Sequence, residues 1–256
     1  MVVDGEGIWV LDGRRASIGR LVQEISASHR RLEVIASRIA QRGRVRDTRL
    51  AGWTNAHLLC HLERNAASHL RMLAAAMDGQ VVEQYPGGDG GRRAEIDAGS
   101  RRSLDALATE LAATNRRLEA QWAVMEPASW HNPTRARAGT RPAYSCLWAR
   151  WREVEIHAVD LDSGVEVRDW PTDFAVAGLD VSFQGLELRS VTDRLPAGVR
   201  LELHDGTVAC WRTHRDSEPT HVGEGSTQLL LGWVVGRSDS DHITWTTGPP
   251  ALETWP

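Results

Sequence analysis

Lysine is absent from this chain: all thirty basic residues are arginine. Such a bias matches a GC-rich coding sequence and deprives any single arginine of weight as a site residue. Cysteine is scarce. Cys60, Cys146 and Cys210 are odd in number, widely spaced and contain no CxxC pair, which excludes a disulfide framework and a cysteine-based zinc knuckle. No window approaches the roughly 18 consecutive apolar residues that a membrane helix needs. The opening MVVDGEGIWVLDG carries acids where a signal peptide has a basic region, so a cytoplasmic protein without a membrane partner is expected. Excess positive charge is missing too: a net charge of -4 argues against nucleic-acid binding.

What is present is ordinary globular material. With 41% hydrophobic and 25% charged residues, 256 residues suit two modest domains. Eleven tryptophans read as core and pocket wall, because a large ring with one N–H packs well and reacts poorly.

Helical periodicity dominates the first part. Ile18, Leu21, Val22, Ile25, Leu32, Ile35 and Ile39 mark a helix over 17–42, with Gly43 as its stop. Thr54 is an N-cap for a second helix carrying Leu58, Leu62, Leu70 and Leu73, stopped by Asp78-Gly79. Residues 80–91, with YPGGDGG, read as a glycine-rich loop without regular structure. A third helix is expected from about 93 to 125, buried through Leu104, Leu107, Leu111, Leu118 and Trp122. The three prolines of 126–142 mark a connection, and 143–162 is a fourth helix. These make an up-and-down four-helix bundle over 1–163.

After Gly164 the pattern changes. Residues 172–194 read as a helix, GVRLELHD and TVACWRT as strands around Asp205-Gly206, STQLLLGWVVGR as a short amphipathic helix and HITWTTG as a closing strand. Residues 164–256 are therefore expected to be a small α+β domain, and the whole an α+β two-domain protein.

Two helical stretches concentrate unusual polar residues. His57 and His61 lie four apart on the second helix, and Glu153 and His157 four apart on the fourth, so each pair shares a face. Packed together, these helices bring His61, Glu153 and His157 to one point. Two imidazoles and a carboxylate with a position left open suit catalytic zinc or another divalent first-row metal. Spacing alone leaves open which of His57 and His61 points inward. It also leaves open a solvated i,i+4 pair, or a buried imidazole satisfied by a hydrogen bond.

GWTNAHLLCHLERNA near residue 52 and LWARWREVEIHAVDL near residue 147 resemble the mycothiol-dependent maleylpyruvate isomerase family, DinB-like metal-binding helical bundles. The first stretch matches that family's GWT-x-x-H-x-x-x-H-x-x-x-N signature and the second its R-E-x-x-x-H-x-x-D-L signature. Gly236-Arg237, HITW, Gly248 and Leu252-Glu253-Thr254-Trp255 match its C-terminal pattern, so the resemblance spans nearly the whole chain.

The resemblance implies that His61, Glu153 and His157 are metal ligands, with zinc the first choice. It implies that Arg237 is required for activity, pairing with a substrate carboxylate or holding the sugar hydroxyls of the thiol. His57 matches a family position that does not bind the metal, and is expected to pack beside the site or hydrogen-bond substrate. Asp160, one turn past His157, is expected either to orient that imidazole or to cap the helix end. Cys60, rotated about 100° from His61 on the helix, reads as a buried structural thiol.

The implied cosubstrate is mycothiol, the sugar-linked cysteine of actinobacteria, and the all-arginine bias is compatible with such a source. A thiol on the metal is held as thiolate, the nucleophilic form. In the isomerase proper this thiolate adds to the cis double bond of maleylpyruvate, the adduct rotates, and expulsion of the thiol gives fumarylpyruvate. The same bundle also suits a mycothiol S-transferase, conjugating electrophiles for detoxification or exchanging thiols as in lincomycin-type assembly. A third class is a non-enzymatic metal-binding stress protein; three aligned ligands favour an open catalytic site over a structural one. The loop VVEQYPGGDGGRR is expected near the pocket mouth, Arg237 to face the metal across an interdomain cleft, and the chain to be a monomer or weak homodimer.

Overall fold

The computed structural model describes residues 8–11, 14–137, 139–183, 190–207, 209–214 and 216–253. The chain divides into two compact units: Ser17–Val165, and a second that joins Met1–Ala16 to Glu166–Pro256. The N-terminal stretch, placed with the bundle from sequence, thus groups with the C-terminal unit, and the division falls two residues after the expected one.

Two short strands come first, β1 (Ile8–Leu11) and β2 (Arg14–Ser17), paired with each other. Helix α1 (Ile18–Arg42) starts where the Ser17 side chain accepts the Arg20 N–H. It ends at Gly43, whose φ of 61° is a left-handed conformation that glycine adopts without steric cost. Helix α2 (Asn55–Met77) is capped by Thr54, as its sequence announces. The expected third helix is two. The first, α3 (Gly88–Gly99), begins inside the glycine-rich segment, and the second, α4 (Leu104–Val124), restarts at the Ser103 cap.

The break has a packing cause. A Cβ on Gly99 would lie 2.4 Å from Cys60 Sγ, so glycine is what lets α3 close onto α2 before the chain turns. The 126–142 connection is also more than a loop. It contains a 3-10 turn (Pro127–His131) and an antiparallel hairpin of β3 (Pro133–Ala136) and β4 (Gly139–Pro142). The two prolines face each other at the open end of the hairpin, where a missing N–H costs little.

Helix α5 (Ser145–Asp160) completes the bundle. Both α1 and α2 pack against both α4 and α5, so α2 and α5 are direct neighbours. The core between them is aliphatic: Leu32, Ile35, Leu58, Leu62, Leu107, Leu111 and Val154 are all buried. That burial drives assembly at about 25 cal/mol per Å² of apolar surface, and it fixes the rotation of each helix.

In the second unit, α6 (Thr172–Phe183) and the one-turn α7 (Val191–Arg194) replace the single helix expected over 172–194; residues 184–189 lie outside the described residues. Strands β5 (Leu201–His204), β6 (Cys210–Arg212) and β7 (His221–Glu224) precede α8 (Thr227–Val234) and β8 (Thr244–Trp245). The sheet order is β6-β5-β7-β8, with β5 and β7 parallel and the outer pairs antiparallel. Helices α6 and α8 meet closely at Gly178, where a Cβ would stand 2.6 Å from Leu231 Cδ2. Strand β1 packs on α6. Among the described residues, no helix is long and apolar enough to cross a membrane.

Candidate metal centre

On α2 the two histidines part company. Thr54 and His57 form a capping box: the Thr54 side chain accepts the His57 N–H, and His57 Nδ1 lies 3.4 Å from the Thr54 N–H that donates to it. His57 is thereby committed to closing the helix, an arrangement worth about 1 kcal/mol. His61, one turn on, is buried and turned toward α5. Trp53 stands beside both, its ring centroid 5.5 Å from that of His61 and 6.4 Å from that of His57.

From α5, Glu153 and His157 complete the cluster. Glu153 Oε2 is 2.8 Å from His61 Nε2 and 3.3 Å from His157 Nε2, and the two imidazole centroids are 5.0 Å apart at 81°. One donor atom from each of the three residues lies within 4.8 Å of the other two. Behind the cluster, His157 Nδ1 donates to Asp160 Oδ2 at 2.9 Å, and Asp160 is buried. The helix period puts Asp160 one turn from His157 on the same face, so a single helix supplies two donors and the group that orients one of them.

The electrostatics follow from burial and pairing. Burial alone would push the Glu153 carboxyl up, but hydrogen bonds from His157 and His61 and their charges outweigh it and hold Glu153 well below the usual carboxylate range. His61 is pulled down to about 4, chiefly by burial, with Glu153 offsetting only part. His157 goes the other way: burial lowers it, but Asp160 and Glu153 together outweigh burial and raise it. A carboxylate kept ionised beside a neutral imidazole is a ready donor pair for a cation.

The donor set fits a divalent first-row metal. Nε2 of two imidazoles and one carboxylate oxygen converge, and the Glu153 and His157 side chains are 21% and 16% exposed, which leaves the cluster accessible to a further ligand. With Nδ1–H held by Asp160, the proton that a metal would displace from His157 is the one on Nε2, so the ring would ligate through Nε2, the arrangement metal-ligating histidines use.

Two residues of this region escaped the sequence reading. Arg150, one turn before Glu153, is wholly buried. Its Nε donates to His29 Nε2 at 3.1 Å, Nη1 to Leu62 O at 2.9 Å and Asn65 Oδ1 at 2.8 Å, and Nη2 to Asn115 Oδ1 at 2.7 Å. It ties α5 to α1, α2 and α4 at once and so sets how deep Glu153 sits. Arg92, at the start of α3, donates from Nη2 to His61 Nδ1 at 3.2 Å. In a chain whose every basic residue is arginine, nothing local distinguishes these two from the other twenty-eight.

Arg237 lies in the second unit, just past α8 and Gly236. Its backbone N–H donates to Gly232 O at 2.7 Å and its Nη1 to Val235 O at 2.8 Å. Cys60 is buried against Gly99, and burial raises its thiol pKa, as suits a packing role. Trp255 of the C-terminal motif lies outside the described residues. A second grouping, Glu202, His204 and Cys210 on β5 and β6, was not read from sequence; there Arg212 and His204 already pair with Glu202.

Fold and site define a two-unit protein whose helical bundle carries a His–Glu–His cluster. A family model described as the mycothiol maleylpyruvate isomerase N-terminal domain matches residues 25–162, more than half of the sequence, and the chain belongs to that family. A crystal structure of a mycothiol-dependent maleylpyruvate isomerase superposes with a TM-score of 0.79 at 25% identity, covering 94% of this chain and 98% of that one. The structure of a mutant of a mycothiol-dependent maleylpyruvate isomerase gives a TM-score of 0.80 at 24% identity with the same coverage. A comparison with curated proteins gives no match.

Proposed function

We propose that this chain is a metal- and mycothiol-dependent enzyme that isomerises a cis unsaturated di-acid of the maleylpyruvate kind. The observation that carries the reading is the convergence of His61 Nε2 and His157 Nε2 on one oxygen of Glu153, with Asp160 behind His157. His61, Glu153 and His157 would hold a divalent metal, with zinc favoured by the two imidazoles. A metal bound there lowers the pKa of a thiol ligand and so supplies the thiolate nucleophile.

The protein's own contribution is placement. Asp160 keeps a proton on His157 Nδ1, which frees Nε2 as a ligand atom. Arg150 ties α5, and with it the turn that carries Glu153, to α1, α2 and α4. Trp53 packs against the rings of His57 and His61 on one side of the cluster. His57, engaged through Nδ1 at the helix cap, retains Nε2 as a group for substrate contact. Arg237 binds a substrate carboxylate or the sugar hydroxyls of the thiol through its planar fork. The cosubstrate and substrate are small molecules, and neither nucleic acid nor membrane enters the reaction.

The test is incubation of protein, divalent metal and mycothiol with maleylpyruvate and, separately, with an uncharged electrophile. Conversion of maleylpyruvate to the trans isomer with thiol recovered supports the isomerase. Accumulation of a thioether with no isomerisation would reassign the chain to thiol transfer. Arg237→Ala should keep fold and metal while losing about 10² in turnover, with Arg237→Lys restoring only part.

A further inference from the structure

Between α2 and α3 the chain builds a second feature beside the metal cluster. The first turn of α3 folds back on Tyr85-Pro86: Gly88 N–H donates to Tyr85 O at 3.0 Å and Gly91 N–H to Gly87 O at 3.1 Å. A Cβ on Gly91 would lie 2.1 Å from Pro86 O, so only glycine allows this approach. The next residue is Arg92. Its guanidinium carbon lies 5.8 Å from the Trp53 ring centroid and 5.7 Å from that of Tyr85, and Tyr85 is itself buried.

This guanidinium differs from the ion-paired arginines of the bundle. Arg31 pairs with Glu155, Arg64 and Arg102 with Glu63, and Arg137 with Asp89. Among the described residues, no carboxylate lies within ion-pair distance of Arg92, whose hydrogen-bond partner is the neutral ring of His61. Five N–H donors and a full charge are thus met by one ring nitrogen and two aromatic faces. The half-buried setting makes that charge effective, because screening is weaker than at an open surface.

We propose that Arg92, flanked by Trp53 and Tyr85, is a carboxylate-binding subsite of this centre, taking one carboxylate of a small unsaturated di-acid. This rests on the function proposed above. The planar fork matches a carboxylate in two parallel hydrogen bonds, and the aromatic faces keep it oriented without competing for its donors. Its contact with His61 places the bound carboxylate within one side chain of the metal ligands, so the carbon chain of the di-acid extends toward them. The single bond to the His61 ring leaves the other guanidinium N–H groups for the substrate carboxylate.

The experiment compares wild type with Arg92→Ala, Arg92→Gln and Arg92→Lys. Calorimetry with maleate, on metal-free protein, reads the subsite without turnover. Arg92→Ala and Arg92→Gln should lose about tenfold or more in maleate affinity, and Arg92→Lys should recover only part of it. Metal content should match wild type. In turnover, the preference for maleylpyruvate over an uncharged electrophile should fall by about tenfold or more, mainly through KM. Unchanged maleate affinity in Arg92→Ala, absence of maleate binding in wild type, or an equal loss for charged and uncharged substrates would overturn the subsite. If wild type turns over neither substrate, the function proposed above fails, and maleate binding still decides for or against Arg92.

Discussion

His157 and Asp160 are joined by a 2.9 Å hydrogen bond from Nδ1 to Oδ2 along one turn of α5, with Asp160 buried beneath the imidazole. A carboxylate that takes the Nδ1 proton decides which nitrogen faces the cluster. Asp160→Asn keeps size and shape but loses the charge that holds that tautomer. It should weaken metal affinity by about 10–100-fold, measured by competition with a chromogenic chelator. Unchanged affinity would reduce Asp160 to a helix-end residue.

Arg150 is a cation inside the bundle held by four neutral acceptors. Arg150→Met replaces the stem but strands His29, Asn65 and Asn115 without their donor. Urea unfolding of the metal-free proteins should show a loss of about 3 kcal/mol or more, beyond what a surface arginine contributes. A loss under about 1 kcal/mol would mean that water or rotamer changes satisfy those acceptors.

His29 offers a pH test away from the metal cluster. Its Nε2 accepts from Arg150 while its Nδ1 faces Glu119 Oε1 at 2.7 Å. Burial pulls its pKa down to about 4, with Glu119 opposing and Arg150 and Arg30 assisting. The unfolded chain takes up this proton near pH 6.5 and the folded chain only near 4, so folding stability falls as pH drops through that window. The effect is about 3 kcal/mol at one unit of pKa per 1.4 kcal/mol. His29→Gln, compared with wild type in chelator, should flatten the decline between pH 6.5 and 4; an unchanged slope would place the titration elsewhere.

Gly91 and Gly90 make a controlled pair. Gly90→Ala meets nothing within 4 Å, whereas Gly91→Ala drives a methyl into Pro86 O. The first should be neutral or mildly stabilising; the second should cost about 1–3 kcal/mol in chemical denaturation and disturb Arg92. Equal effects would contradict the close approach that places α3.

Much of this organisation is written locally. Thr54, Gly43 and the apolar stripes of α1 and α2 obey rules that act within one or two turns, and the i,i+4 spacing of Glu153 and His157 needs only a helix to align them. The choice between His57 and His61 is also local in origin, since the third helical position after Thr54 is where a capping box closes, but the histidine spacing does not display it. The split of the third helix depends on Gly99 meeting Cys60, thirty-nine residues away, and periodicity carries no trace of such a contact. The hairpin of β3 and β4 joins short strands interrupted by proline and arginine, with one alternating residue, Thr134, buried. Arg92 and Arg150 acquire meaning only from the neighbours that folding brings them.

The proposed function stands on His61, Glu153 and His157 holding one divalent metal. Its most direct test is metal content by mass spectrometry on zinc-loaded, gel-filtered wild type, His61→Ala, Glu153→Ala and His157→Ala, with unfolding followed in parallel. The expected result is about one ion per wild-type chain, near-complete loss in each variant, and a chelator-induced fall in the melting temperature of wild type alone. Wild-type-like occupancy in His61→Ala and His157→Ala, with both folded, would contradict it.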